Sequence, residues 1–172
     1  LPTLYSKSPA IVISPLLSLM NDQQMIMKKL GIRACCYNSN VSDKVKLRKE
    51  IYNADYDIIY ITPESVINNG SFLEKIEQVC GISLFAIDEA HCISSHGHDF
   101  RTAYRELNML RESCPDVPML CVTATATVEV TADIIKVMSM SGITVKTSFD
   151  RANLKFVAEQ RAKDSIKNIA ME

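Results

Sequence analysis

Two adjacent carboxylates follow an apolar run near the middle of the chain. Asp88 and Glu89 come directly after residues 84–87, a run rich in residues that favour a β-strand. One acid at a strand end can hold a magnesium ion through its water molecules, while its neighbour orients or deprotonates an attacking water. We therefore predict that Asp88 binds the metal and that both carboxylates are catalytic. The alternative is a solvated acidic turn.

The segments around this pair predict an α/β fold. Five short β-rich runs alternate with segments of helical spacing, which predicts a mainly parallel sheet with right-handed crossovers. Most runs are continuous, which is typical of strands buried on both faces. The predicted strands are Ala10 to Ile13, Arg33 to Tyr37, Asp57 to Ile61, Ser83 to Ile87 and Met119 to Thr123.

Small polar clusters stand at the C-terminal end of each predicted strand. The carboxyl ends of parallel strands meet at one edge, where open α/β sheets bind ligands. The sequence therefore predicts a single ligand-binding edge. Its segments are Ser14-Pro15, Asn38-Ser39, Thr62-Pro63-Glu64, Asp88-Glu89 and Thr123-Ala124-Thr125.

The intervening segments have helical spacing of apolar residues. For the first helix we predict Ser14 as N-cap, Pro15 at the first helical position and one apolar core stripe. That stripe comprises Leu16, Leu19, Met20, Ile26, Met27 and Leu30. The other predicted helices are Ser42 to Tyr52, Ser71 to Val79, Tyr104 to Glu112 and Val128 to Met140.

The composition is that of an ordinary globular domain. Apolar residues make up 47% of the 172 residues and the net charge is -1, so contact with a polyanion must be local. No apolar run reaches the length of a membrane span, and we expect a soluble, intracellular protein. Six scattered cysteines without C-x-x-C spacing are expected to be reduced core thiols.

Six segments resemble, in order, the motifs of one enzyme family. Asp88-Glu89-Ala90-His91 resembles the motif II box of superfamily 2 helicases, and the other segments resemble those of RecQ-type DNA helicases. These are motif Ia at residues 13–23, motif Ib at 60–64, the aromatic-rich loop at 92–101, motif III at 122–127 and the segment leading to the second motor domain at 148–154.

The resemblance implies a fold and an activity. It implies a RecA-like three-layer domain over residues 1–147, without the P-loop strand and helix, followed at 148–172 by a connection toward the second RecA-like domain. The implied activity is ATP-dependent, Mg²⁺-requiring unwinding of DNA, with 3′-to-5′ movement. The implied partners are single-stranded or partly duplex DNA, with RNA as an open alternative, and the remaining helicase domains, with no membrane.

The resemblance also implies roles for individual residues. The catalytic set is Asp88, Glu89 and His91; the nucleic-acid-binding set is Ser14, Ser18, Thr62, His98, Phe100 and Arg101; the coupling set is Thr123, Thr125 and Arg151. Plainer alternatives remain open at this point: Phe100 could be buried, and the serines and threonines could be helix caps. Where RecQ relatives usually have tryptophan, this chain has His96, so stacking there should be weaker.

A phosphate-binding loop of the Walker A type is not found in the sequence. That motif needs a glycine followed by lysine, and serine, histidine or isoleucine follows each of the five glycines. In RecQ relatives a pair like Leu1-Pro2 comes shortly after the P-loop helix, so we expect the chain to begin just downstream of it. We therefore expect residues 1–172 alone not to hydrolyse ATP.

Three other functions compete with this interpretation. A zinc hydrolase would use the cluster His91, His96, His98 and Asp99, although Phe100 stands where a further ligand is expected. A helicase-like module could clamp nucleic acid without hydrolysis. An RNA helicase has a similar motor.

Overall fold

The computed structural model describes residues 2–147 and 153–155. The chain divides into two units, Leu1–Ser141 and Gly142–Glu172. In the described part of the first unit, five strands form a parallel sheet in the order β2-β3-β1-β4-β5. They are β1 (Ala10–Ile13), β2 (Ala34–Tyr37), β3 (Ile58–Ile61), β4 (Leu84–Ile87) and β5 (Met119–Cys121). The predicted parallel α/β sheet is therefore confirmed.

Helices occupy the crossovers and the flanks of the described chain. Two of them begin at threonine caps: Thr62 accepts a hydrogen bond from the amide of Ser65, and Thr127 accepts one from Val130. The helices are α1 (Pro2–Ser6), α2 (Leu17–Lys29), α3 (Lys44–Tyr52), α4 (Pro63–Ile67), α5 (Gly70–Cys80), α6 (Thr102–Arg105), α7 (Met109–Ser113) and α8 (Val128–Val137). Two 3₁₀ helices cover Ala90–Ile93 and Glu106–Asn108.

The start of α2 differs from the prediction. The helix begins at Leu17 with Leu16 at its N-cap and without a side-chain cap, so the prediction of Ser14 as cap was wrong. The hydroxyl of Ser14 donates instead to the Asp88 carboxylate. The predicted core stripe is also only partly buried: Met20 is buried, whereas Ile26 and Leu30 are exposed.

The segment between the aromatic-rich loop and β5 is not the single helix that was predicted. It consists of α6, one 3₁₀ turn and α7. Three short pieces let Tyr104, Leu107 and Leu110 all reach the core. The last helix, α8, ends at Val137, before the predicted end at Met140.

Helices on both faces of the sheet produce three layers. The larger cluster of buried residues includes Phe72 of α5 and Ile134 of α8, whereas the smaller cluster on the opposite face is built around Met20 of α2. Strand β3 is buried throughout, but Leu120 of β5 is 49% exposed. The prediction of strands buried on both faces therefore fails at β5, since α2 packs against the other half of the sheet.

The cysteines are free thiols, as predicted, although their burial varies. Cys35, Cys92 and Cys114 are buried, and the other three are half-buried. Burial raises the pKa of the Cys92 and Cys114 thiols to about 11, so the reactive thiolate is disfavoured at neutral pH. Among the described residues, no helix is both long and apolar enough to cross a bilayer.

Candidate active site and nucleic-acid interface

Three strand ends lie next to one another because β1 and β5 both pair with β4. The Ser14 hydroxyl, after β1, donates to Oδ2 of Asp88 at 3.3 Å. After β5, Oγ1 of Thr123 lies 3.0 Å from Nδ1 of His91. The Ser-Pro, Asp-Glu and Thr-Ala-Thr segments therefore share one edge of one parallel sheet, as the sequence predicted.

Asp88 occupies the centre of this edge. Its amide donates to the carbonyl of Ile13 at 2.9 Å, and its Oδ1 accepts from the amide of Glu89 at 3.0 Å. Each carboxylate oxygen carries two lone pairs and so can also accept from the water shell of a cation. The described residues contain no group of three or more His, Cys, Asp or Glu side chains that could hold a metal.

Glu89 sits on a strained turn. Its φ of 51° lies in the left-handed region, which non-glycine residues seldom adopt. The side chain is 37% exposed and its Oε2 lies 3.3 Å from Nδ1 of His91. A non-glycine residue stays in this region only where its surroundings hold it there.

His91 joins three parts of the edge. The side chain is 7% exposed, and Nδ1 lies within hydrogen-bonding distance of both Glu89 and Thr123. Its ring stacks on that of His98, with centroids 4.4 Å apart and planes 17° apart. Thr123 in turn accepts from the amide of Thr125 at 3.3 Å. Thr123 and Thr125 are thus connected with the Asp-Glu turn through one imidazole.

The loop at residues 94–101 presents an aromatic side chain. Phe100 is 44% exposed, so it is not simply a buried core residue. Arg101 donates through Nη2 to Oδ2 of Asp99 at 2.8 Å. The hydrogen bond from the Arg101 guanidinium holds the pKa of Asp99 below its usual range. To bind a phosphate, Arg101 must share or leave this partner.

The remaining predicted residues fall at separate places. Ser18 is exposed on the first turn of α2, and Thr62 caps α4. His96 is exposed, and its amide donates to the Ser94 hydroxyl at 3.1 Å. Arg151 lies outside the described residues.

Two structural residues of the site were not predicted from the sequence. The hydroxyl of Tyr104 donates to the main-chain carbonyl of Asp88 at 2.8 Å. A Cβ at Gly97 would lie 2.5 Å from the carbonyl oxygen of His91, so the loop packs against the 3₁₀ helix at a distance that only glycine allows. A tyrosine at a helical position gives no signal of such a bond, whereas a glycine in a motif segment is a weak signal of close approach.

Comparison with known proteins identifies the family to which this parallel α/β fold belongs. Residues 2–134 match the family model described as DEAD/DEAH box helicase. The chain belongs to the DEAD/DEAH box helicase family.

Several similar proteins are helicases by name. The putative ATP-dependent RNA helicase R290 of Acanthamoeba polyphaga mimivirus is 51% identical over 98% of this chain and 31% of its own length. The ATP-dependent DNA helicase Q-like SIM of Arabidopsis thaliana is 42% identical over 91% of this chain and 19% of its own length. The mouse bifunctional 3′-5′ exonuclease/ATP-dependent helicase WRN is 40% identical over 89% of this chain and 11% of its own length. The RecQ resemblance is therefore confirmed, and the chain spans less than a third of each of these relatives.

Solved structures share the fold. The DUF1998 helicase MrfA bound to DNA and AMPPNP aligns with 78% of this chain and 20% of its own, at a TM-score of 0.57 and 14% identity. The Hef helicase domain of Pyrococcus furiosus aligns with 78% of this chain and 28% of its own, at a TM-score of 0.55 and 16% identity. At these identities the likeness concerns the RecA-like fold alone.

Proposed function

We propose that this chain is the part of an ATP-driven DNA helicase that activates the hydrolytic water and contacts the single strand. The observation that carries the proposal is the shared edge, where Asp88 lies 3.3 Å from Ser14 and His91 lies 3.0 Å from Thr123. Side chains from three strand ends are thereby connected within a few ångströms. Contacts of this kind are needed if ATP hydrolysis at one segment is to move a nucleic-acid strand that is bound at another segment.

Each carboxylate has a distinct proposed task. Asp88 would hold a hydrated magnesium ion, which would neutralise charge on the phosphates of ATP when bound. The Glu89 side chain is 37% exposed and its Oε2 lies 3.3 Å from Nδ1 of His91, so solvent can reach the carboxylate and it is placed to accept the proton of the attacking water. His91 can then pass a change in charge at Glu89 to Thr123, because Nδ1 lies within reach of both.

The single-stranded DNA is proposed to lie along the loop at residues 94–101 and along the C-terminal ends of the neighbouring β-strands. Phe100 offers a half-exposed ring for base stacking, and Arg101, Ser18 and Thr62 offer donors for phosphates. Ser14 is 2% exposed, so we propose that it acts on the strand indirectly, through Asp88. His98 stacks on His91 and would connect the loop with the carboxylates. For Arg151 the coupling role stays a prediction.

The proposal is tested by assaying the longest form of the protein that the gene encodes. We expect ATP hydrolysis that single-stranded DNA stimulates at least about tenfold, a change of about 1.4 kcal/mol in the barrier. On matched duplexes we expect unwinding of DNA carrying a 3′ overhang. A longest encoded form that lacks a Walker A motif, binds the nucleic-acid strand and hydrolyses no ATP would instead be a binding module.

RNA is the second candidate strand, because the relative from mimivirus is named a putative RNA helicase. The assay therefore includes RNA of the same sequence, as a single strand and as a matched duplex. Stronger stimulation by RNA than by DNA would reverse the assignment of the strand while leaving the motor intact.

Phe100→Ala tests the strand interface separately from hydrolysis. Removing the ring should weaken single-strand affinity by about 1 to 3 kcal/mol, the usual contribution of base stacking on an aromatic residue. Fluorescence anisotropy with a labelled oligonucleotide measures this on residues 1–172. The control is Leu30→Ala, which removes a side chain that is 66% exposed at the end of α2, and it should leave affinity unchanged. Equal affinity for both variants and the natural sequence would remove Phe100 from the interface.

A further inference from the structure

The peptide group between Asp88 and Glu89 is held at both ends. Its N–H, on Glu89, donates to Oδ1 of Asp88 at 3.0 Å, and its carbonyl accepts from the Tyr104 hydroxyl at 2.8 Å. A peptide group is planar, so fixing both polar ends fixes the orientation of the whole plane. Together with the path of the chain after Glu89, that orientation determines the left-handed φ of 51° at this residue.

Strain at Glu89 makes the second hydrogen bond important. A non-glycine residue leaves the left-handed region unless its surroundings hold it there. The Asp88 carboxylate is shared between the Glu89 amide and the Ser14 hydroxyl, so it is a weaker hold when a cation competes for it. Tyr104 is fully buried and donates from a fixed position in the core. The hydrogen bond from Tyr104 therefore fixes the Asp88–Glu89 peptide more constantly than the Asp88 carboxylate does.

Tyr104 also has a direct mechanical connection with the strand-contact loop. It lies on α6, which begins immediately after Arg101. Its amide donates to the carbonyl of Arg101 at 3.0 Å, and the amide of Arg101 donates to the carbonyl of Cys92 at 3.0 Å. A displacement of Phe100 and Arg101 by a bound strand must then act on α6, and through it on the phenol.

We propose that Tyr104 is a positioning residue that couples occupancy of the loop at residues 94–101 to the orientation of the Asp88–Glu89 peptide, and hence to the Glu89 carboxylate. The inference rests on the proposed hydrolysis at Glu89 and adds a route by which a strand regulates it. A purely structural tyrosine would stabilise the core without responding to the strand.

Tyr104→Phe removes the hydroxyl and keeps the ring. The matched control is Tyr37→Phe, since Tyr37 is also buried and also has one side-chain hydrogen bond, from Nε of Arg48 at 2.9 Å, away from the carboxylates. In the longest encoded form, Tyr104→Phe should lower kcat in the presence of single-stranded DNA at least about fivefold, as a misplaced catalytic group does, with KM for ATP within about twofold. Tyr37→Phe should keep both constants.

Amide hydrogen exchange on residues 1–172 gives a readout that needs no hydrolysis. In the natural sequence a bound oligonucleotide should alter the exchange rates of the amides of residues 88–91. In Tyr104→Phe these amides should exchange at least about tenfold faster, and the oligonucleotide should no longer alter their rates. In Tyr37→Phe they should behave as in the natural sequence. Unchanged exchange, or equal acceleration in both variants, overturns the role of Tyr104. Absence of ATP hydrolysis in the longest encoded form would overturn the proposed function. The exchange data would still decide whether Tyr104 couples the loop to the Asp88–Glu89 peptide.

Discussion

Replacement of Glu89 by glutamine is expected to lower ATP turnover at least roughly 100-fold, the low end of the loss when a general base is removed. The amide cannot take a proton from water, yet it keeps the size of the carboxylate and can still accept a hydrogen bond from His91, which lies 3.3 Å away. Folding and strand binding should therefore change little. Steady-state hydrolysis by the longest encoded form, with saturating single-stranded DNA, measures the effect.

The control for this substitution is Glu112→Gln. Glu112 is exposed on α7, a helix that precedes β5 and so lies toward the opposite edge of the sheet. Glu112→Gln removes the same charge as Glu89→Gln, but at a position away from Asp88 and Glu89. A loss below tenfold for Glu89→Gln, or similar losses for the two variants, would reassign Glu89 to a structural role on its strained turn.

The edge of the sheet could be predicted because two local signals coincide there. Continuous apolar runs such as residues 58–61 indicate buried parallel strands, and each run ends in polar residues. Parallel pairing then places all the ends together, whatever the strand order. The strand order itself, which puts β4 between β1 and β5, does not follow from these runs.

The predicted stripe on α2 shows where local periodicity is insufficient. The spacing of Met20, Ile26 and Leu30 fits one helical face, yet only Met20 of the three is buried. Which part of an apolar face is covered depends on how far the helix extends over the sheet and on what packs beside it. Neither is encoded in the spacing within the helix.

Contacts across the site were also beyond the sequence pattern. The bond from Tyr104 to Asp88 spans 16 positions and depends on the break between α6 and α7. The pairing of Arg101 with Asp99 depends on the path of the loop. Charge and residue type gave the candidates, whereas tertiary geometry decided their partners.

Replacement of Gly97 by alanine is expected to weaken single-strand binding at least about tenfold, or about 1.4 kcal/mol. The new Cβ would lie 2.5 Å from the carbonyl oxygen of His91 and 3.1 Å from that of Ser94, and both are main-chain atoms that cannot rotate away. The loop must move off the 3₁₀ helix, which displaces Phe100 and separates the stacked rings of His98 and His91. Anisotropy with a labelled oligonucleotide on residues 1–172 measures the affinity.

Urea unfolding of the same variant separates local displacement from general loss of structure. Overpacking a close contact usually costs about 1 to 3 kcal/mol, which leaves an ordinary domain folded. Gly142→Ala is the control, because a Cβ at Gly142 meets nothing within 4 Å. If Gly97→Ala remains folded and binds the strand as tightly as Gly142→Ala, the packing of this loop does not determine strand contact. A loss of affinity confined to Gly97→Ala would instead show that binding of the single strand requires the loop to pack closely against His91.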